Sequence, residues 1–254
     1  QRVIRAFSVC LWIDGAAAPR MSGNYVAKIQ VKPDAYPRIQ QPYPLSTYDQ
    51  MRLELHEDEE VAQGKAYWVT AGQSGEWASP SFVVDSTAKG LLGRPVRDYR
   101  WVNSQTLDVP WPSPSTNSVF ERAQEGALHT IMDCVWGFTQ VAIDEDTGRL
   151  LQLAAKRGIL RPTVLYFGLK QGPGIFQSIM DNTFGQLRDS DDQPFAAICV
   201  DDVAISTPAY EGDGDDAVVD RHIGHCATFL RVAAENGIQF KLTKCKWAQL
   251  WIKL

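Results

Sequence analysis

The sequence lacks the features that would place it in several special classes of protein. Its longest apolar runs, such as Ala6–Ile13, fall far short of the roughly 20 residues that cross a bilayer, and no signal peptide with a cleavage site can be identified. We therefore expect no membrane association. The formal net charge is −5, from 25 Lys and Arg against 30 Asp and Glu, so no global basic field is present to bind any polyanion.

Cysteine is scarce and widely scattered along the chain. The five cysteines are odd in number and mostly set in apolar surroundings: Cys10, Cys134, Cys199, Cys226 and Cys245. We expect buried free thiols rather than disulfides, which predicts an intracellular, cytoplasmic protein. His222 and His225 lie near two of these cysteines, but they lack the paired spacing of a zinc site, so a zinc assignment is rejected.

What is present is the composition of a globular protein. Hydrophobic residues make up 44% of the chain and charged residues 22%, which excludes a disordered, collagen-like or coiled-coil chain. A length of 254 residues allows one large domain or two lobes. The chain starts at Gln1 and stops within an apolar pattern at Leu254, so we expect it to be a segment of something longer.

The spacing of apolar residues predicts an α+β fold, with helices on one face of an antiparallel sheet. Helices are predicted over Ser46–Val61, Pro173–Leu187 and Val219–Gly237. Strands are predicted at Ser81–Val84, Pro95–Tyr99, Leu128–Asp133, Phe195–Val200, Val203–Ser206 and Ile238–Leu242. The Pro- and Ser-rich stretch Trp101–Ser118 is the best internal boundary. The acidic run Glu57–Glu60 is expected to be a solvated face.

Three carboxylates stand out against these apolar strands. Asp201 and Asp202 occupy the turn between two uncharged strands, and Asp133 ends a third. Carboxylates held close together repel one another unless a cation neutralises them, and hard oxygen ligands of this kind suit Mg²⁺. Two such ions can support an in-line phosphoryl displacement. An Asp-Asp pair by itself is more often a simple turn former, so its flanking sequence decides between the two interpretations.

The flanking sequences resemble one family at several separated places. The segments that carry the likeness are Val96–Asn103 (pattern V-D-Y-R-x-L-N), Thr130–Gln140 (an apolar strand that ends in Asp, with an aromatic residue five positions later), Tyr166–Pro173 (P-F-G-L-x-N-A-P), Cys199–Ile205 (x-x-D-D), and His225 with Lys244–Ala248. In these segments the chain resembles the reverse transcriptase (RNA-directed DNA polymerase) domain of gypsy-type LTR retrotransposons, from about Arg38 to the C-terminus. In that family the first segment is the fingers motif, the second is the first catalytic motif and the x-x-D-D segment is the catalytic hairpin.

This resemblance implies a right-hand polymerase with fingers and palm and with the thumb missing. The implied division is an N-terminal connector at 1–37, fingers at 38–107 and 141–171, and palm at 108–140 and 172–254. It implies an enzyme, a nucleotidyltransferase that adds a dNTP to a primer 3′-hydroxyl. The implied partners are an RNA or DNA template with its primer, the dNTP, and a second subunit or downstream thumb and RNase H domains.

The resemblance also implies roles for individual residues. Asp133, Asp201 and Asp202 would be catalytic and, with the carbonyl of Cys134, would hold two Mg²⁺ ions, with Mn²⁺ as an alternative. The residues implied to bind the incoming dNTP are Arg94 and Lys89 at the triphosphate, Phe138 beneath the sugar, and Phe167 and Gln171 along the pocket. An aromatic ring beneath the sugar discriminates against ribose by excluding its 2′-hydroxyl.

Some positions depart from the family pattern. Cys199 stands where the family has Tyr or Phe, and Tyr166 replaces a proline, although no metal ligand is lost. These departures favour one alternative function, a catalytically decayed or co-opted module that binds nucleic acid or protein. An unrelated metal-dependent phosphohydrolase explains neither the fingers motif nor the aromatic residue beneath the sugar.

Overall fold

The chain forms two units, each assembled from separated stretches of sequence. The computed structural model describes residues 2–22, 25–86, 90–112 and 126–250. Unit 1 comprises Gln1–Tyr25, Trp111–Gly137 and Gly174–Leu254, and unit 2 comprises Val26–Pro110 and Phe138–Pro173. The chain therefore changes unit four times along its length.

Strands outnumber helices among the described residues. The strands are β1 (Leu11–Trp12), β2 (Val26–Ala27), β3 (Ala66–Trp68), β4 (Ser79–Ser86), β5 (Gly90–Arg97), β6 (Leu128–Asp133), β7 (Ala142–Ile143), β8 (Leu153–Ala155), β9 (Gly158–Pro162), β10 (Ala196–Cys199), β11 (Asp202–Thr207), β12 (Phe240–Lys241) and β13 (Lys246–Gln249). The α-helices are α1 (Arg2–Ala6), α2 (Thr47–Ala62), α3 (Arg100–Gln105), α4 (Glu145–Leu150), α5 (Gly172–Phe184) and α6 (Asp215–Glu235).

Unit 1 is built on a four-stranded antiparallel sheet in the order β10-β11-β6-β13. Every residue of the inner strand β6 before Asp133 is buried. On one face of β6, Thr130 Oγ1 lies 2.8 Å from His222 Nε2 of helix α6. Successive side chains of a strand point to opposite faces, so Ile131 and Asp133 lie on the other face, where Ile131 packs against residues of β10 and β11.

Helices α5 and α6 meet in the apolar core of unit 1. The rings of Phe184 in α5 and Phe229 in α6 stack with their centroids 4.1 Å apart. Phe240 of β12 packs at an angle against Phe229, with centroids 5.8 Å apart. All three rings are almost fully buried, and each such side chain contributes about 2 kcal/mol through the apolar surface it removes from water. Helix α6 also contacts β6 and β11, the strands that carry Asp133 and Asp202.

Unit 2 contains a five-stranded sheet in the order β3-β9-β8-β4-β5, in which β4 and β8 run parallel and the other neighbours antiparallel. Helix α2 contacts β3, β4 and β5. Gly93 in β5 has φ +67°, and a Cβ there would overlap Arg52 Nη2 and lie 2.6 Å from the carbonyl of Val84. The hairpin can approach the helix this closely only with glycine at that position.

The structure confirms the predicted helices and strands with small shifts of their ends. The helix predicted over Ser46–Val61 is α2, and Ser46 caps it by accepting a hydrogen bond from the N–H of Asp49 at 3.1 Å. The strand predicted at Leu128–Asp133 has those bounds. The α+β assignment is likewise confirmed.

One local prediction is wrong in part, and the N-terminal segment contains a short strand. The run Glu57–Glu60 is a solvated face only at some positions. Asp58 and Glu59 are exposed and Glu60 is half-buried, whereas Glu57 is 2% exposed and accepts a hydrogen bond from Arg157 at 3.0 Å. An arginine far along the chain neutralises it, which a local pattern does not reveal. Within the predicted connector, β1 pairs in parallel with β12, and Trp12 is buried.

Among residues 2–22, 25–86, 90–112 and 126–250, no helix combines the length and the apolar character needed to span a bilayer.

Candidate active site

The three acids meet at one end of the two inner strands of the unit 1 sheet, β6 and β11. Asp133, the last residue of β6, lies directly opposite Asp202, the first residue of β11, in the antiparallel register. Asp201 immediately precedes Asp202, and its carbonyl accepts a hydrogen bond from the N–H of Cys134 at 2.9 Å. Side chains directly opposite on paired strands lie on the same face of a sheet. The register therefore brings together residues that are distant in sequence.

The turn that carries Asp201 is held in an unusual backbone conformation. Val200 has φ +53°, in the left-handed region that a β-branched residue rarely adopts. The buried side chain of Gln177 in α5 stabilises this turn, because its Oε1 accepts from the N–H of Val200 at 2.7 Å and its Nε2 donates to the carbonyl of Ile198 at 3.2 Å. The cost of such a conformation is about 1–3 kcal/mol, which these bonds offset.

Asp201 has the most perturbed environment of the three acids. Its Oδ1 is buried and has no hydrogen-bond partner in the described structure. A Cβ on Gly137 would overlap this oxygen, so only glycine leaves room for the carboxylate. Burial, followed by the negative charges of Asp133 and Asp202, raises the pKa of Asp201 to about 6.

A lysine lies against the same cluster. Lys244 donates from Nζ to both carboxylate oxygens of Asp133, at 3.1 and 3.0 Å. The pKa of Asp202 is raised, first by loss of solvation and then by Asp133, while Lys244 acts in the opposite direction. One ammonium group therefore compensates only part of the charge of three carboxylates.

The acid cluster has the donor chemistry that a divalent cation requires. A buried carboxylate oxygen without a partner, beside two further carboxylates, fits a hard cation such as Mg²⁺. Within the described part of the chain, no three ligating side chains already converge in the geometry of a formed metal site. Cys134, the fourth predicted ligand, has a buried thiol whose pKa is raised mainly by burial, so only its backbone carbonyl suits such an ion.

The predicted nucleotide-binding residues belong to unit 2, whereas the acids belong to unit 1. The rings of Phe138 and Phe167 are in contact, with centroids 4.6 Å apart, and Phe167 is 52% exposed. Arg94 is exposed on β5, opposite Val84. Lys89 lies outside the described residues.

Gln171, also predicted to line the nucleotide pocket, is buried and hydrogen-bonded to main chain. Its Oε1 accepts from the N–H of Gln30 at 3.0 Å, and its Nε2 donates to the carbonyls of Gln30 and Leu107 at 2.8 and 2.9 Å. These bonds connect three separated segments of unit 2. The amide group thus supports the local backbone, and a role at a nucleotide stays a prediction.

Sequence reasoning did not single out three residues that shape the acid cluster: Gly137, Gln177 and Lys244. Gln177 carried a weak signal, because it is a polar residue directly after Phe176 in the apolar pattern of helix α5. Lys244 belongs to a recognised motif, but its contact with Asp133 depends on the path of the chain after α6. Gly137 gave no signal, because a clash with a side chain 64 positions away is visible only in three dimensions.

The sequence around this site matches one protein family. The family model described as reverse transcriptase (RNA-dependent DNA polymerase) matches residues 90–253, which is more than half of the chain and includes all three acids. The chain belongs to the reverse transcriptase family. The matched range of this reverse transcriptase also contains Phe138, Phe167 and Gln171.

Curated relatives of this reverse transcriptase are viral polyproteins. A polyprotein of Cassava vein mosaic virus is 25% identical over 215 residues, covering 84% of the chain and 31% of the polyprotein. The enzymatic polyprotein of Cauliflower mosaic virus (strain D/H) is 28% identical over 177 residues, 69% of the chain and 24% of the polyprotein. The chain thus spans less than a third of the length of these relatives.

Solved structures with a similar fold include the protease-reverse transcriptase of Prototype Foamy Virus. One crystal structure aligns with a TM-score of 0.78 at 16% identity, over 98% of this chain and 30% of the viral chain. A foamy viral protease-reverse transcriptase in complex with double-stranded DNA gives 0.78 at 17% identity, over 100% and 41%. The likeness shows that this reverse transcriptase has the right-hand polymerase fold that the sequence motifs predict.

Proposed function

We propose that the chain is an RNA-directed DNA polymerase domain of a retroelement polyprotein. The observation that carries the proposal is that Asp133, Asp201 and Asp202 meet at one end of the two inner strands β6 and β11. One carboxylate oxygen there is buried and lacks a hydrogen-bond partner. The family match and the polyprotein relatives support it. Five free cysteines are consistent with action in a reducing compartment.

The reaction is attack of a primer 3′-hydroxyl on the α-phosphorus of a dNTP, with release of pyrophosphate. Bound divalent cations, two Mg²⁺ or Mn²⁺ ions, would supply charge stabilisation of the attacking and leaving oxygens. Asp133 and Asp201 would hold them, with Asp202 and the carbonyl of Cys134 completing the ligand set. The strained turn and Gln177 keep the Asp201 carboxylate in place without substrate, which is the preorganisation that phosphoryl transfer requires.

The remaining predicted residues would bind the dNTP. Arg94 and Lys89 would contact the triphosphate, the guanidinium by forked hydrogen bonds and the ammonium as a point charge. Phe138 would lie beneath the sugar, in contact with the ring of Phe167, which packs against the nucleotide. Gln171 would act at the same pocket, through the backbone segments that its amide joins.

The template partner is proposed to be an RNA or DNA strand with its primer. Foamy viral relatives of the fold have been solved with double-stranded DNA and with an RNA/DNA hybrid, which supports this assignment. A thumb and an RNase H domain, or a second subunit, are the further proposed partners. The motifs favour a gypsy-type LTR element, while the curated relatives that match are polyproteins of plant-infecting viruses such as Cauliflower mosaic virus.

A second candidate function is a catalytically decayed or co-opted module that binds nucleic acid or protein. Two features favour it. Cys199 stands in place of an aromatic residue, and Lys244 donates hydrogen bonds to the carboxylate of Asp133. Titration with Mn²⁺ separates the two candidates. A polymerase site binds the ion and loses affinity in Asp133→Asn, whereas a module without catalysis shows the same weak binding in both proteins.

Primer extension on an RNA template tests the proposal directly. A longer polypeptide that adds the predicted thumb to this chain is expected to extend the primer, and Asp201→Asn is expected to abolish extension. Asp220→Asn, an exposed acid on α6, is the matched control and should extend at the wild-type rate. Equal extension by wild type and Asp201→Asn would overturn the assignment.

A further inference from the structure

We propose that Tyr166 is a positioning residue for dNTP binding, and that Glu60 and Arg97 hold it in place so that Phe167 keeps a fixed orientation. The inference rests on the proposed function, because it deepens the role of Phe167 at the nucleotide. Tyr166 stands where the family motif has proline, so the arrangement belongs to this chain rather than to the motif.

The side chains of Tyr166, Glu60 and Arg97 form a polar network that includes the last residue of strand β5. Tyr166 donates from its hydroxyl to Glu60 Oε2 at 2.7 Å. Arg97 donates from Nη2 to Glu60 Oε1 and Oε2, both at 2.8 Å, and its Cζ lies 5.6 Å from the centroid of the Tyr166 ring. Tyr166 is 4% exposed and Arg97 7%. Hydrogen bonds to charged groups are stronger than those between neutral groups, and they are strengthened further where water is excluded.

The network joins helix α2, strand β5 and the segment that carries Phe167. Glu60 belongs to helix α2, and Arg97 ends strand β5, three residues after Arg94. Tyr166 immediately precedes Phe167. A shift of the helix or of the hairpin would therefore be transmitted to the backbone on the N-terminal side of the Phe167 ring.

The C-terminal side of Phe167 is fixed as well. Asn103 donates from Nδ2 to the carbonyl of Gly168 at 2.7 Å, and its Oδ1 accepts from the N–H of Lys170 at 2.8 Å. The half-exposed ring of Phe167 thus projects from a segment that is anchored on both sides. If the Phe167 ring is ordered before the nucleotide arrives, the entropy cost of binding is lower. A positioning residue such as Tyr166 acts by lowering this cost.

The experiment measures binding of a fluorescent nucleotide, mant-dTTP, to the chain with Mg²⁺ present. We expect the Kd to rise about 10-fold in Glu60→Gln, which leaves Arg97 without its carboxylate, and about 3-fold in Tyr166→Phe, which removes only the hydroxyl. Glu57→Gln is the matched control, because Glu57 is another buried acid of helix α2 paired with an arginine, Arg157. It should lower the melting temperature comparably and leave the Kd within twofold.

Wild-type affinity in Glu60→Gln and Tyr166→Phe, or an equal loss of affinity in Glu57→Gln, would overturn the positioning role. Failure of the proposed function has a different signature, since it appears as primer extension that is insensitive to Asp201→Asn. The two results come from separate measurements on different variants, so one can fail without the other.

Discussion

The position of the Asp201 carboxylate depends on the absence of a side chain at Gly137. The space next to Asp201 Oδ1 would be filled by a single methyl group. Because that oxygen is buried and lacks a hydrogen-bond partner, it has no polar contact that would guide it back after a displacement. One part of the geometry of the acid cluster, the space for the Asp201 carboxylate, therefore depends on a residue that has no side chain.

Gly137→Ala is expected to displace the Asp201 carboxylate and to lower the rate of single-nucleotide incorporation about 100-fold or more, since misplacement by about 1 Å is sufficient for such a loss. The measurement is single-turnover incorporation on a primed template. Gly224→Ala, on helix α6 where a new Cβ would contact nothing, is the control and should retain the wild-type rate. Comparable rates in both variants would contradict the steric argument.

His222 gives the molecule a predictable dependence on pH. It is buried against Thr130 and Thr207, at 2.8 Å from each hydroxyl. Burial, followed by His225 and His129, lowers the pKa of His222 to about 4. The folded protein therefore binds a proton less readily than the unfolded chain does, and stability is lost as the pH falls from about 6.5 towards 4.

We expect wild type to lose about 1–2 kcal/mol more than His222→Asn between pH 8 and pH 5, measured by urea unfolding at both values. The comparison with the variant is needed because Asp201 changes the free energy of unfolding in the opposite direction as the pH falls. Its pKa is raised to about 6, so its destabilising effect at neutral pH is relieved as the pH falls. Parallel pH profiles for the two proteins would exclude His222 as the responsible group.

At the scale of elements, the hairpin that carries Asp201 and Asp202 depends on a helix beside it. Gln177 of α5 hydrogen-bonds to Val200 in the turn and to Ile198 in the preceding strand β10. Replacing it by Leu removes the hydrogen-bond partner of the partly buried N–H of Val200. The turn should then relax and move Asp201.

Gln177→Leu is expected to reduce the free energy of unfolding by about 2 kcal/mol, the cost of unsatisfied buried polar groups. It should also reduce primer extension. Denaturant unfolding and extension assays on the same preparation measure both effects. Asn182→Ala, at an exposed position of α5, serves as the comparison, and a stability equal to that of Gln177→Leu would show that the turn does not need this amide.

Most elements could be predicted from the sequence because their signals are local. The short, mostly buried strand Leu128–Asp133 and the helical pattern that becomes α6 each lie within one segment. The register that places Asp133 opposite Asp202 could be inferred only through the family resemblance. The burial of Glu57 and the contact of Lys244 with Asp133 depend on pairings between distant segments, which periodicity does not encode.

At the scale of the whole molecule, a net charge of −5 limits how nucleic acid can bind. Binding must depend on local clusters of phosphate contacts, and each contact releases counterions. We expect the affinity for a primer–template duplex to fall about 100-fold between 50 and 200 mM salt, which corresponds to roughly four phosphate contacts. Fluorescence anisotropy at four salt concentrations gives the slope. An affinity independent of salt would contradict electrostatic binding.

The interleaved order of the two units has a consequence for synthesis on the ribosome. Strand β6 emerges well before its two neighbours, β11 and β13, because the whole second stretch of unit 2 is translated in between. During that interval both edges of β6 are without partners, while the last residues of unit 2 complete their own sheet. A nascent chain halted before Lys246 would expose one edge of β6 to other polypeptides. Translation pauses between the synthesis of β11 and that of β13 should therefore promote aggregation.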